Sequence, residues 1–381
     1  MTARSARTSR NCGRALVVRW LAVVTLAALT ACTSAPPPKP SSRPPPEGSL
    51  VREGSRWVPV AWQDLPGWHA DQPRAAWPAL VQGCQRPAPG WTLLCANAQQ
   101  RPPRTDAEMR DWLMRNLQPY RVESHEGATS GLITGYYEPV IAARRVPAGP
   151  FRVALYAPPP DLATRRPYWT REQIDSLPAA QASLRGREIA WVADPLDALV
   201  LQIQGSGRLR ITEPDGRERT VRLAFAGHND WPYRSIGRWL IDQGELQPGQ
   251  ASWPAIKDWA RRNPARLNEL LWANPRYVFF REETLPDPSV GPRGAQGVPL
   301  TPGRSIAVDP RSVPYGAPVW IDTTEPLSSA PLRRLVLAQD TGSAIVGAVR
   351  ADYFWGWEGD AAEQAGRMRQ PLRMWVLWPR P

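Results

Sequence analysis

Proline constrains this chain more than any other residue. There are 44 prolines among 381 residues, more than twice the usual share of about 5%. Each fixes its own φ and removes a backbone donor, so few stretches can hold a long uninterrupted helix, and strands, turns and extended segments are favoured instead. An all-helical fold and a coiled coil are excluded. Disorder throughout is excluded too. With 42% hydrophobic and 9% aromatic residues, the chain can build one large globular body or two modest domains with cores of their own.

Residues 1–31 read as a leader. Arginines at positions 4, 7, 10, 14 and 19 precede an apolar run from Leu21 to Leu29. That is the pattern of a secretory signal, and the run is too short to cross about 30 Å of hydrocarbon as a helix. Leu29-Thr30-Ala31-Cys32 resembles the bacterial lipoprotein processing box, in which the cysteine takes lipid and becomes the first residue of the mature chain. Several acyl chains hold a protein far more firmly than one. Thr33 is not the aspartate that in such lipoproteins signals inner-membrane retention, so the expected address is the outer membrane, lipid-anchored and facing the periplasm. Ordinary secretion is the rival reading. Residues 32–54, rich in Pro and Ser, read as a tether whose polyproline segments extend about 3.1 Å per residue. Loss of the five leader arginines takes the formal charge from +12 to +7, a moderately basic body. Cys12 leaves with the leader and Cys32 takes lipid, which leaves Cys84 and Cys95 as a disulfide pair in an oxidising compartment.

Thr105-Asp-Ala-Glu108 is a capping box, and Met109, Trp112, Leu113 and Leu117 follow it at helical spacing as a core stripe. From Gly131 to about Leu223 the texture turns to short β-like runs broken by Gly and Pro, among them residues 151–156, 189–192 and 198–204, which predicts a β-barrel or sandwich module. Helices are expected from Ser235 and between Trp253 and Trp272, with Ser252 as a cap and Pro264 as a break. Strands return at 305–309, 317–322, 334–340 and 374–378.

The chemistry narrows by elimination. His69, His125 and His228 are far apart in sequence, so a His-based metal site is not expected. No G-x-S-x-G elbow, Walker loop or G-x-G-x-x-G occurs, and Gly205-Ser206-Gly207 reads as a turn or a close-approach position, not a nucleophile. The 45 arginines stand beside only 2 lysines, a compositional bias, and the periplasmic address removes nucleic acid as a partner. Carboxylate chemistry on a polymer remains. Asp309, Asp340 and Asp352 each sit at a strand end or a Gly-flanked turn, where an aspartate is ordinarily a turn cap. Asp352 differs in its neighbours, Tyr353, Phe354, Trp355 and Trp357. Such surroundings disfavour the charged form and suit a general acid, and Tyr353 and Trp355 are candidate platforms for sugar rings.

Several separated blocks resemble the membrane-bound lytic murein transglycosylase A lipoproteins: Thr134-Gly-Tyr-Tyr-Glu-Pro139, Asp194-Pro-Leu-Asp-Ala198, Leu201-Gln-Ile-Gln-Gly-Ser-Gly-Arg208, Tyr233-Arg-Ser-Ile-Gly-Arg238 and Asn274-Pro-Arg-Tyr-Val-Phe-Phe280. The C-terminal part, with Val308-Asp309, Ala338-Gln-Asp340-Thr-Gly-Ser-Ala-Ile345 and Ala351-Asp352-Tyr-Phe-Trp-Gly356, resembles that family's three-aspartate domain. The resemblance runs from about residue 55 to the end. It implies a mainly β fold with a few helices. A double-psi β-barrel catalytic domain is built from both chain ends (55–137 and 274–381), with an inserted second β-barrel domain (138–273) and a groove between them. The implied activity is lytic transglycosylation of peptidoglycan, cleaving the β-1,4 bond between N-acetylmuramic acid and N-acetylglucosamine to leave 1,6-anhydromuramic acid. Asp352 is the implied acid and base, with Asp340 as an orienting partner and Asp309 as structural. Thr134, Gly135, Tyr136, Gln202, Gln204, Gly205 and Ser206 are candidate groove contacts. No cofactor is implied. The expected partners are peptidoglycan glycan strands and, through acylated Cys32, outer-membrane lipid; a cell-wall synthesis or hydrolysis complex is compatible with that address. The Gly-rich loop from Gly291 to Gly297 departs from the family pattern. Two alternatives stay open, a hydrolytic murein glycosidase and a non-catalytic murein-binding lipoprotein whose aspartates only cap turns.

Overall fold

The computed structural model of the protein describes residues 46–380, so the leader, Cys32 and the first part of the tether lie outside the described residues. Fifteen strands among them form two sheets. The folded body begins before residue 55, because β1 (Leu50–Val51) already pairs with β2 (Arg56–Pro59). β3 (Leu117–Glu123) and β4 (Gly131–Tyr136) follow in the same sheet, which is completed from the C-terminal end by β11 (Ser305–Val308), β12 (Pro318–Thr324), β13 (Pro331–Asp340), β14 (Arg350–Phe354) and β15 (Arg369–Pro379). The order is β1-β2-β3-β15-β12-β13-β11-β14-β4. β15 pairs through Arg369–Leu372 with β4 and through Arg373–Val376 with β12, so six strands close into a ring. Closure leaves the six strands of the ring without a free edge, while β3, β2 and β1 branch from β15. Two of its pairings, β11 with β13 and β14 with β4, are parallel.

These strands are apolar without a clean alternation because both faces are covered. Val336, Ala338, Met374 and Val376 point into the barrel. Their neighbours Leu335, Leu337, Trp375 and Leu377 point outward, under the helices Trp77–Gly83, Thr92–Gln100 and Asp106–Asn116. The third of these helices is the expected one, with the Thr105 hydroxyl accepting from the Glu108 amide. The first two are short and carry no apolar stripe long enough to announce them. A disulfide between Cys84 and Cys95 ties them together.

The second sheet contains β5 (Val140–Arg144), β6 (Val153–Tyr156), β7 (Glu188–Val192), β8 (Ser206–Thr212), β9 (Glu218–His228) and β10 (Val278–Thr284), in the order β10-β9-β8-β5-β7-β6. Its end strands β10 and β6 lie close together without a ladder, and side chains such as Leu155 and Phe280 fill the seam. The chain crosses into this sheet between Tyr136 and Val140. It returns only after Thr284, later than the 274 expected from sequence, because residues 278–284 pair along β9. Residues 198–204, read from sequence as a strand, belong to the helix Pro195–Gln204. Asp194 caps it by accepting from the Leu196 amide at 2.8 Å, and Pro195 supplies a helical φ at its first position. Its apolar run has no helical period because both sides are buried. Ala198 and Leu201 face the second sheet, while Leu196 and Leu199 face the helices Ile236–Asp242, Trp253–Arg262 and Leu267–Trp272. Ser235 and Ser252 cap the first two of these three as expected, and the second ends at Arg262 ahead of Pro264.

Candidate active site

Strand β11 brings two carboxylates together. Ala307 stands opposite Asp352 in the antiparallel pairing with β14 and opposite Asp340 in the parallel pairing with β13. Paired residues share a face, so the two acids flank one small side chain, their backbones roughly 10 Å apart by strand spacing. On its other edge β14 runs parallel to β4, where Asp352 meets Thr134. The Thr134 hydroxyl donates to Asp352 Oδ1 at 2.6 Å and accepts from Arg350 Nη2 at 2.9 Å. Arg350 reaches it because residues two apart on a strand share a face. Asp340 accepts from the Tyr136 hydroxyl at 3.0 Å and from the Ala295 amide at 2.9 Å. The Gly291–Gly297 loop is thereby fastened to the second acid. It can pack this closely because a Cβ on Gly294 would lie 2.4 Å from the Gln339 carbonyl oxygen.

These groups open into a cleft of about 360 Å³ between the two sheets, walled by Thr134, Tyr136, Gln202, Asp340, Arg350 and Asp352. Burial pushes the Asp352 carboxyl up to about 6; the Thr134 hydrogen bond and the Arg350 charge oppose this, and the negative charge of Asp340 adds to it. Burial raises Asp340 as well, against the Ala295 and Thr341 amides and the Tyr136 hydroxyl, which favour its anion.

The expected contacts divide. Thr134, Gly135, Tyr136, Gln202 and Gln204 line the cleft together with the two acids. Gln202 and Gln204 come from a helix end, not a strand. Gln202 Oε1 accepts from buried Arg171, and Gln204 Oε1 accepts from the Tyr137 amide. Gly205 and Ser206 border the adjoining chamber. Gly205 takes the left-handed conformation that ends the helix. Tyr353 and Trp355 are corrections. One residue beyond Asp352 points to the opposite face, so Tyr353 lies inside the barrel, donating to the Gly303 carbonyl and accepting from Arg334, with Trp355 packed edge-on against it. The aromatic rings near the acids are instead Tyr136 and Phe354, 5.2 Å apart. Asp309 is held away from the cleft, where it accepts from Arg311 and from the Gly347 amide. Sequence reasoning missed Arg350, Tyr233 and Arg276 as cleft residues. The two-residue spacing of Arg350 and Asp352 was the available signal for the first. Tyr233 and Arg276 lie far from the acids in sequence, and their only signal was their place in the Tyr233–Arg238 and Asn274–Phe280 blocks of the family resemblance.

Family models described as "MltA specific insert domain" and "3D domain" match residues 132–281 and 304–378. Among curated proteins, the membrane-bound lytic murein transglycosylase A of Vibrio cholerae is 33% identical over 65% of this chain and 65% of its own length. That of Escherichia coli K12 is 31% identical over 74% of each. Two solved structures are similar. The lytic transglycosylase LtgG of Burkholderia pseudomallei has 46% identity and a TM-score of 0.61, covering 88% of this chain and 99% of its own. Escherichia coli MltA with bound chitohexaose has 25% identity and a TM-score of 0.69, covering 90% and 100%. No helix among the described residues is long and apolar enough to cross a membrane. With its acids on the ring of one sheet and its cleft walled by the other, the chain belongs to the membrane-bound lytic murein transglycosylase A family and carries that family's 3D domain at its C-terminal end.

Proposed function

We infer that the protein is a peptidoglycan lytic transglycosylase in which Asp352 serves as both acid and base. The observation that carries this is the half-buried Asp352 carboxyl, bonded to Thr134 in an intersheet cleft and raised to about 6. About one molecule in ten then holds the proton at pH 7. Cleavage begins when that proton passes to the oxygen linking muramic acid to the next glucosamine, and the C1–O bond breaks. Asp352, now a carboxylate, takes the proton of the muramic C6 hydroxyl as that oxygen bonds to C1. The anhydro ring closes, the acid is restored and no water is consumed. Thr134 and Arg350 hold the carboxylate in place, and Asp340, fixed by Tyr136 and Ala295, would as a carboxylate favour protonated Asp352 and stabilise the positive charge that develops at C1. That the related Escherichia coli protein binds chitohexaose, an oligomer of β-1,4-linked amino sugars, supports a glycan strand as the occupant. Proton delivery is worth about 10² to 10⁴ in rate, so Asp352→Asn is expected to bind murein and lose cleavage by at least that factor. Mass spectrometry of the parent's products decides the chemistry. Fragments heavier by one water than the anhydro form would mean hydrolysis, and near-parental activity in the Asn variant would move the acid elsewhere.

The membrane-bound naming of the relatives and the Leu29–Cys32 box support a lipid anchor on Cys32, with the catalytic body facing the periplasm from the outer membrane. Cys32→Ser is expected to abolish incorporation of labelled fatty acid and to release the protein from the membrane fraction. Unchanged outer-membrane fractionation without label in either form would count against the anchor.

A further inference from the structure

Beyond Asp340 the cleft continues into a second chamber of about 560 Å³. Its inner wall repeats Tyr136, Gln202 and Gln204, but its outer wall carries Arg276, Arg281 and Arg293. Arg281 is paired with Glu283 at 2.7 Å and also donates from Nη1 to the Phe225 carbonyl, which leaves it one free N–H on each terminal nitrogen. Arg276 and Arg293 have no carboxylate within 4.0 Å among the described residues. Their guanidinium contacts are carbonyl oxygens, Trp231 O at 3.3 Å and Gly297 O at 2.9 Å, which leave most of their five donors free. The one acid lining the chamber is Asp340, whose two oxygens are taken by Tyr136 and Ala295. Exposed Phe225 adds an apolar surface beside the arginines.

A neutral sugar ring has little use for three guanidinium groups, whereas a carboxylate matches their planar fork. On a murein strand the free carboxylates are carried by the peptides that hang from the muramic residues. We propose that the second chamber is a stem subsite, in which Arg281 and Arg293, with Arg276 behind them, hold the carboxylates of the peptide next to the scissile bond while Phe225 covers its alkyl parts. This rests on the murein reading for the identity of the strand, but its test needs no turnover.

The full chain carrying Asp352→Asn would be titrated with soluble murein fragments bearing tetrapeptide stems and with chitohexaose, whose sugars carry neither stem nor carboxylate. At low salt the stem-bearing fragments should bind about tenfold more tightly. That preference should shrink to less than about threefold in molar salt and in the added Arg281→Gln/Arg293→Gln variant, both sites being exposed and so safe for folding. Equal binding of the two ligands, no binding of either, or a preference that survives both substitutions overturns the subsite. Turnover by the parent chain separates the two readings. Anhydro products without a stem preference would sink the subsite alone, and an intact preference without anhydro products would sink the reaction alone.

Discussion

Asp352, the acid in the proposed mechanism, carries a stability cost that can be measured. Its carboxyl titrates at about 6 in the folded chain against 3.8 for an unperturbed side chain, so folding favours its protonated form. The stability linked to that proton is fully present below about pH 4 and is lost as pH rises through 6, a difference of about 2 to 3 kcal/mol. Asparagine cannot ionise. Asp352→Asn should therefore match the parent in urea unfolding at pH 4 and exceed it by about 2 kcal/mol at pH 7.5; equal stability at both values would mean that the carboxyl is not raised. With Asp352 as the proposed acid, cleavage is expected to fall as pH rises above 6, the opposite sign from a simple base, and a rate that climbs through pH 6 would count against the assignment. The unusual setting of Asp352 was legible in its aromatic neighbours, although two of the rings credited there, Tyr353 and Trp355, pack on the far side of the strand. Asp309 shows the ordinary alternative, a strand-end aspartate held below the usual carboxylate range mainly by its hydrogen bonds from Arg311.

At the level of elements, the site depends on how closely β4 and its neighbours approach. Gly135 stands between Thr134 and Tyr136, and a Cβ there would lie 2.8 Å from Ala365 Cα in the helix Ala361–Arg367 and 2.8 Å from Trp355 Nε1. Gly135→Ala is expected to cost about 1 to 3 kcal/mol in denaturant unfolding and to lower cleavage, since β4 must shift and carry Thr134 with it. Unchanged stability and rate would show that the helix can give way. Capped helices such as Asp106–Asn116 were readable because Thr105 and the apolar spacing are local signals. Residues 198–204 were not, because a short run buried on all sides has neither a two-residue nor a 3.6-residue period.

Across the whole molecule, the crossing from the first sheet to the second is held by a buried ion triad. Glu138 is completely buried and accepts from Arg208 at 2.8 Å and Arg222 at 2.6 Å, and Arg208 stacks over Trp357. Both arginines also donate to carbonyls of the returning segment, Arg208 to Pro288 and Val290 and Arg222 to Val290. Glu138→Gln leaves two buried cations without their anion and should cost about 3 to 5 kcal/mol in unfolding free energy. A loss under 1 kcal/mol would mean that the carbonyls alone hold the crossing. The sequence by itself determined the proline-limited, mainly β texture, the capped helices, the cysteine pair and the short list of acids, because each is written in neighbouring residues. Only the tertiary structure decided that Asp340 and Asp352 flank Ala307, that Thr134 donates to Asp352 from more than two hundred residues away, and that arginines from β10 and from the loop after it face one chamber. Those arrangements follow from strand register and ring closure. Long-range pairing sets both, and no local pattern encodes them.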